Sequence, residues 1–348
     1  MLNLFRNYNP FAVIVLFLIT VFVKLGFLMQ PSGIFFASET QVVWAWLSGF
    51  INAALGRSPF LITFFAIVNL FGQGIFINSI ANRRHLYPKA TYLPLLTYIL
   101  VTSLFADWNY LSASLVGNWF LLAMLSAALK LYSPGDVRKQ IFNIGCFISL
   151  AALLVFPNIV FLLFLMLALA VLRPFNAAEW TVGLLGALTP FYFLAGILYL
   201  ADNVHLLKQM IAVGFHLPGT MAQPQIFFTA IVTLLAFFVL GLAYLNGFMG
   251  RMLFQNKKWW WVILAALLAS LMGGTFTVAR GYNQWMAMLI PLSFVIANIW
   301  FEERKKWIPT LYFYLFVGAI VLVQWYRPPI KSSRQAKPVA AHARVKAS

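Results

Sequence analysis

Apolar residues fall along this chain in long blocks, and polar residues gather between them. The first block runs from Pro10 to Met29. Ten more follow at 60–80, 91–105, 112–131, 141–156, 158–172, 180–200, 226–245, 259–273, 285–300 and 308–325. A helix needs about 20 apolar residues to cross a bilayer. The pattern therefore predicts an all-α, polytopic transmembrane helical bundle with one span per block, eleven in all. The pair 141–156 and 158–172 is short and turns at Pro157–Asn158, so it reads as a hairpin that does not fully cross. The first block is too long for the core of a signal peptide, and no small-x-small site precedes Gln30 and Pro31, so it reads as a retained anchor. Residues 1–326 form a single transmembrane domain. Residues 327–348 are polar, rich in Ala, Lys and Arg, and are expected to be a disordered basic tail.

Two connections are too long for simple turns. In Gln30 to Ser58, Val43, Leu47, Phe50, Ile51 and Ala54 recur at helical spacing, with Gln41, Ala45, Ser48 and Asn52 opposite. Ser38 and Gln41 have the spacing of a capping box. In Asp202 to Gln225, Val204, Leu207, Ile211 and Phe215 form one stripe and His205, Gln209, Ala212 and His216 another, with Asp202 or Asn203 as the cap. Both segments predict amphipathic helices lying in the membrane interface.

Composition narrows the class. Hydrophobic residues make up 63% of the chain and charged ones 9%, against about 25% charged in soluble domains, so an ordinary water-soluble fold is excluded. The net charge of +17 would suggest nucleic acid on a soluble protein. Here the cations sit in short loops, where they set orientation and attract anionic lipid, so no nucleic-acid partner is expected. With the N-terminus inside, the inner loops hold fourteen basic residues and the outer ones four: Lys24, Arg57, Lys208 and Arg280. That bias predicts a multi-pass protein of the plasma (bacterial inner) membrane with a cytoplasmic N-terminus. Six further cations lie in the tail, which an odd number of spans puts outside, against the charge rule. Trp259, Trp260, Trp261, Trp300, Trp307 and Trp325 flank the charged loops and read as interfacial anchors.

Chemistry has few carriers. One cysteine, Cys146, makes no internal disulfide, and CxxC, HExxH, Walker and GxGxxG patterns are absent. No metal or other cofactor is evident. Of seven acids, Glu39, Asp107 and Asp202 fall outside. Glu39, in the first turn of its helix, interacts with the helix dipole or serves as a general base. Asp107 is a solvated turn residue or a site residue, and Asp202 a cap. Lys24 snorkels to headgroups, or belongs to a site. Arg280, opening Arg280–Gly–Tyr–Asn–Gln284, anchors the interface or clamps a phosphate. His205 and His216, eleven apart, form a polar surface stripe or ligate a metal. Within spans, Asn69 with Gln73 and Ser114 with Asn118 sit four apart, where amides must find protein or water. These pairs predict interhelical hydrogen bonds or a polar cavity.

The stretch from about Arg83 to Asn203, with Tyr92–Leu–Pro–Leu–Leu96, Leu111–Ser–Ala–Ser–Leu115, Phe156–Pro157, Leu172–Arg–Pro–Phe–Asn–Ala–Ala–Glu–Trp180 and Thr189–Pro190, resembles an uncharacterised family of bacterial polytopic inner-membrane proteins. More distantly, the long first outer loop with Glu39, and Arg280–x–Tyr282 before a span containing Pro291, resemble the GT-C glycosyltransferase fold. That likeness implies transfer of a sugar from a polyprenyl-phosphate donor at the outer face. Glu39 and Asp107 would then be catalytic, and Arg280, Lys24 and His205 would bind a lipid-linked sugar. The loop departs from the fold in carrying one acid where a pair is frequent. A non-catalytic subunit meeting envelope protein partners, and a transporter, are the other readings. The absence of an acid at the centre of any span disfavours a proton-coupled transporter.

Overall fold

The computed structural model describes residues 2–6, 8–31, 33–36, 42–132, 136–211, 224–250, 252–276, 282–301 and 307–325. Among these the chain is all-helical, and one isolated parallel bridge pairs Phe35 with Ser112. The helices are α1 (Leu2–Arg6), α2 (Phe11–Val23), α3 (Leu25–Met29), α4 (Val42–Ala54) and α5 (Pro59–Arg83). Next come α6 (Leu93–Thr102), α7 (Ala113–Ala128), α8 (Val137–Leu154), α9 (Phe161–Leu172) and α10 (Ala177–Leu200). The last are α11 (His205–Met210), α12 (Pro224–Met249), α13 (Phe254–Thr275), α14 (Leu289–Ala297) and α15 (Trp307–Trp325). Short 3-10 segments cover Ala106–Asn109, here called the outer turn, and Phe156–Val160, Asn283–Met288 and Asn298–Phe301.

Seven helical stretches among the described residues are long and apolar enough to cross a membrane. They are α5, α8, α10, Phe227–Met249, α13, Asn283–Phe301 and Trp307–Gln324. The other four apolar blocks also fold as helices, but shorter ones: Phe11–Val23, Leu93–Thr102, Ala113–Ala128 and Phe156–Leu172. The shortest of them, α6, sits in the middle of the molecule with all its residues buried, and packs on α14, which is also fully buried. Ten helical residues rise about 15 Å, half the thickness of a hydrocarbon core. Helix ends at that depth are tolerated because protein covers them.

Contacts sort the connections into two ends. At one, Arg6 donates twice to Trp300 O at 3.0 and 2.8 Å, and Tyr92 N donates to Phe5 O at 2.9 Å. At this same end Asn256 reaches His85 O at 3.0 Å, and the Lys258 ammonium lies over the Tyr132 ring at 5.3 Å. This is the basic end that loop charge predicts. At the other, Lys24 meets the outer turn, and Phe35 N donates to Leu111 O at 2.9 Å. Gln324 Nε2 donates to Val23 O at 3.3 Å there, so α1 and the end of α15 lie at opposite ends of the bundle.

Two kinds of contact hold the helices together. The α8–α10 seam is built on glycine. A Cβ at Gly145 would run into Gly183 O and come within 2.7 Å of Ala187 N, and one at Gly186 would run into Phe142 O. Across the seam Cys146 Sγ lies 3.2 Å from Gly186 O, and Ser149 Oγ donates to Ala187 O. In the centre, Gln73 donates to Leu115 O at 2.6 Å and accepts from Tyr98 OH at 2.7 Å. Asn118 donates to Met286 O at 3.3 Å, and Trp119 Nε1 to Asn69 Oδ1 at 3.1 Å. The interhelical bonding expected of the Asn69, Gln73 and Asn118 amides is therefore present.

Several local expectations change. Helix α4 forms, but Trp44 and Ser48 are buried while Phe50 is 74% exposed, and it is Val42 and Val43 that pack with Leu153 of α8 and Leu194 and Leu198 of α10. Asp202 and Asn203 do not cap α11, whose N-cap is Val204 with no side-chain bond. Asp202 instead takes a left-handed φ of 53° and ends α10, with Asn203 N bonded to Leu198 O at 2.8 Å. Asp tolerates that conformation better than most residues. Trp260 and Trp300 are core residues with no exposure, whereas Trp261 and Trp307 are exposed. Consecutive helical positions are about 100° apart, so three tryptophans in a row cannot share one face. The hairpin around Pro157 is splayed: α9 packs mainly on α13, and α8 on α7 and α10. The capping box at Ser38 and Gln41, His216, and the tail from 326 lie outside the described residues.

Candidate functional site

The outer turn, Ala106–Asp–Trp–Asn109, is where the sequence-predicted site residues come closest together. It begins after Phe105, in extended backbone, and leads through Tyr110 to Ser112, whose hydroxyl caps α7 by accepting from Leu115 N at 3.3 Å. A polar turn between two apolar blocks would ordinarily face solvent. Here Trp108 and Asn109 are buried and pull it onto the bundle.

Lys24 is fully buried at the break between α2 and α3. Its ammonium donates to Thr102 Oγ1 at 3.2 Å and to Asn109 Oδ1. The Asn109 amide donates in turn to Thr102 O at 3.0 Å and Phe105 O at 2.7 Å, which aims its oxygen at the lysine. Lys24 therefore does not snorkel. It turns inward and ties the first span to the outer turn through these two neutral partners. A cation at such depth is costly unless well hydrogen-bonded, and these bonds supply part of that compensation.

Asp107 sits two residues before Asn109 and is partly exposed. Its Oδ2 accepts from Tyr282 N at 3.4 Å, while Trp108 Nε1 donates to Tyr282 O at 2.8 Å. The turn thus grips both backbone groups of Tyr282. Burial, reinforced by the Asp107 charge, pushes the Tyr282 phenol above its ordinary pKa, so it stays a neutral donor. Arg280, two residues earlier, lies outside the described residues, as does Glu39. The described chain stops at Phe36 before Glu39, and Phe35 there is bridged to the residues just after the outer turn. His205 is exposed at the start of α11, which packs on α10 and not on the outer turn.

Lys24 and Asp107 are therefore brought to one turn, and Tyr282 joins them. Thr102, Asn109 and Trp108 complete the arrangement, and the sequence alone did not single them out. The available signal was the cluster of aromatic and amide side chains around Asp107, unusual in so short a connection. An apolar cavity of about 240 Å³ adjoins the site, sharing Phe105, Trp108 and Tyr282 as wall. Among the described residues no group of His, Cys, Asp and Glu is arranged to hold a metal ion. Comparison of the chain with protein-family models, curated proteins and solved structures finds no match.

Proposed function

We propose that this protein is a plasma-membrane protein of eleven spans, with its basic end and N-terminus cytoplasmic, that acts on a lipid-borne substrate at the outer face. The chemistry we assign is GT-C-like transfer of a sugar from a polyprenyl-phosphate donor. One observation carries the reading: an ionisable, partly exposed carboxylate, Asp107, stands on a rigidly held turn beside an apolar cavity at the end of the bundle away from the basic loops. A carboxylate so placed can accept the acceptor's proton. Glu39 is the second candidate base, and Arg280 the candidate clamp for the leaving phosphate, whose charge grows in the transition state. The opposite placement of the chain ends favours an odd number of spans.

Two measurements test this. In a Cys146→Ser background, Ser332→Cys should react with a membrane-impermeant thiol reagent on intact cells. Reaction only after permeabilisation removes the odd count. In nanodiscs with a polyprenyl-phosphate sugar, Asp107→Asn should cut transfer by about a hundredfold or more while the protein melts normally. Undiminished transfer overturns the assignment.

A second reading, a non-catalytic subunit of an envelope complex, is favoured by the use of Lys24, Asp107 and Trp108 in internal hydrogen bonds. It is supported if wild-type protein transfers no sugar and Asp107→Asn leaves partner recovery unchanged.

A further inference from the structure

Three helices start at the basic end of the bundle, and one of them starts with the wrong charge. A helix N-terminus carries partial positive charge, so acids are favoured there and cations disfavoured. Asp136 caps α8 ahead of Arg138 and Lys139, accepting from Lys139 N at 3.3 Å. Glu179, in the first turn of α10, pairs with Arg173 at 2.9 Å. Helix α13 has no acid in its first turn and no side-chain cap, and it carries Lys257 and Lys258 at its fourth and fifth positions. Glu302 and Glu303, the other two acids assigned to this side, lie outside the described residues.

Lys258 is half-buried, with its ammonium 5.3 Å from the centre of the Tyr132 ring and 5.2 Å from that of Phe254. Ring faces attract a cation but do not neutralise it. Among the described residues this ammonium meets no carboxylate and no hydrogen-bond acceptor. Lys257 is its neighbour in the helix, and the exposed Lys130 stands two residues before Tyr132, just past the end of α7. Neither has a carboxylate partner among the described residues. Phe254, Lys258, Trp261, Leu268 and Met272 recur at helical spacing, so they share one side of α13. The four apolar members of that stripe are exposed. Lys258 therefore stands near the end of the side that α13, a helix of membrane-spanning length, turns to the bilayer.

We propose that Lys130, Lys257 and Lys258 form a headgroup site for an anionic phospholipid, whose phosphate they hold while its acyl chains lie along the exposed stripe of α13. Charge selects the headgroup. Three cations without a counter-charge favour a lipid of net negative charge, whereas the ammonium of a zwitterionic lipid is repelled by them. Position selects a lipid over a soluble anion. The cations stand where an apolar, bilayer-facing stripe reaches the interface, and the exposed Trp261 marks that level. The site is at the opposite end of the bundle from Asp107, and it does not depend on sugar transfer.

The test is native mass spectrometry of the full chain in detergent, titrated with phosphatidylglycerol or with phosphatidylcholine. Wild-type protein should bind the anionic lipid about tenfold or more tightly than the zwitterionic one. Lys258→Gln should weaken phosphatidylglycerol about fivefold, and Lys257→Gln with Lys258→Gln about twentyfold, with phosphatidylcholine unchanged. The single variant serves if the double one melts early. Lys258→Arg keeps the charge and should keep the preference. Arg138→Gln with Lys139→Gln removes the same charge beside the acid-capped start of α8 and should leave binding as in wild-type protein. Equal weakening by the two pairs means diffuse attraction to a basic surface and overturns the site. So does the absence of a preference in wild-type protein, or a parallel loss of both lipids in the α13 variants. Displacement of the lipid by millimolar inorganic phosphate would identify a soluble-anion site and overturns the lipid assignment. Because lipid occupancy is read without any reaction, the outcome is separate from that of transfer by Asp107.

Discussion

The α8–α10 seam and the α5–α6–α7 centre solve the same problem by different means. Lipid tails are as apolar as leucine, so helices in a bilayer gain little from burying apolar surface against each other. The seam brings backbones together over Gly145, Gly183 and Gly186 and gains dispersion contact. Its partner α10 keeps a broad lipid-facing side, with Leu188 62% and Tyr192 72% exposed. The centre instead links Gln73, Tyr98 and Asn118 by hydrogen bonds and encloses α6 completely. The outer turn is attached to the centre, through Thr102 at the end of α6 and Ser112 at the start of α7. The difference teaches that shape holds the periphery, whereas directional bonds hold the part that positions the candidate site.

The largest effect should come from breaking the seam. Gly186→Leu drives a side chain into the Phe142 backbone and should cost about 3 kcal/mol, seen as loss of monodisperse protein in detergent. Gly196→Leu on the same helix meets open space and should leave melting unchanged. Equal behaviour of the two would mean that the seam does not depend on close approach. In the centre, Gln73→Leu removes two interhelical bonds and should cost about 1–3 kcal/mol, lowering the melting temperature without changing oligomeric form. Asn69→Leu, on the same helix, loses one bond to a half-buried Trp119 and should cost less.

The smallest effect concerns pH at the basic end. Tyr87 OH donates to Phe294 O at 2.7 Å, and burial holds its pKa well above the ordinary value. In the unfolded chain tyrosine ionises near pH 10, while folded Tyr87 stays neutral. Its contribution is therefore complete below about pH 10 and fades as pH rises beyond it. Tyr87→Phe should cost about 1 kcal/mol at neutral pH and flatten the alkaline fall in melting temperature. A fall as steep as in wild-type protein would assign it to other groups.

Much of the architecture was legible because a bilayer imposes simple rules. Apolar blocks became helices, and the basic residues of Arg6 and the 83–89 and 254–258 segments met at one end. Gln73 and Asn118 were legible as bonding residues because an amide in an apolar block must be partnered. The inward turn of Lys24 was not. Its partners Thr102 and Asn109 are 78 and 85 positions away, and no local pattern announces them. The facing of α4 and the burial of Trp260 and Trp300 depended likewise on which helix came to lie alongside. At the candidate site, Asp107 and the segment around Tyr282 were picked out separately by composition, but their meeting is tertiary. His205 shared only its presumed side of the membrane with them.

The placement of the chain ends at opposite ends of the bundle bears on biogenesis. In the proposed orientation, the six cations after Trp325 leave the cytoplasm against an interior-negative potential. Moving one charge costs about 2.3 kcal/mol per 100 mV, so at a potential of about 100 mV the six cations oppose their own export by about 14 kcal/mol. The apolar Trp307–Gln324 stretch supplies the opposing drive, and the bond from Gln324 to Val23 fastens α15 to α2. Insertion of α15 should then be the step most sensitive to membrane potential, and collapsing the potential during synthesis should make export of the tail easier.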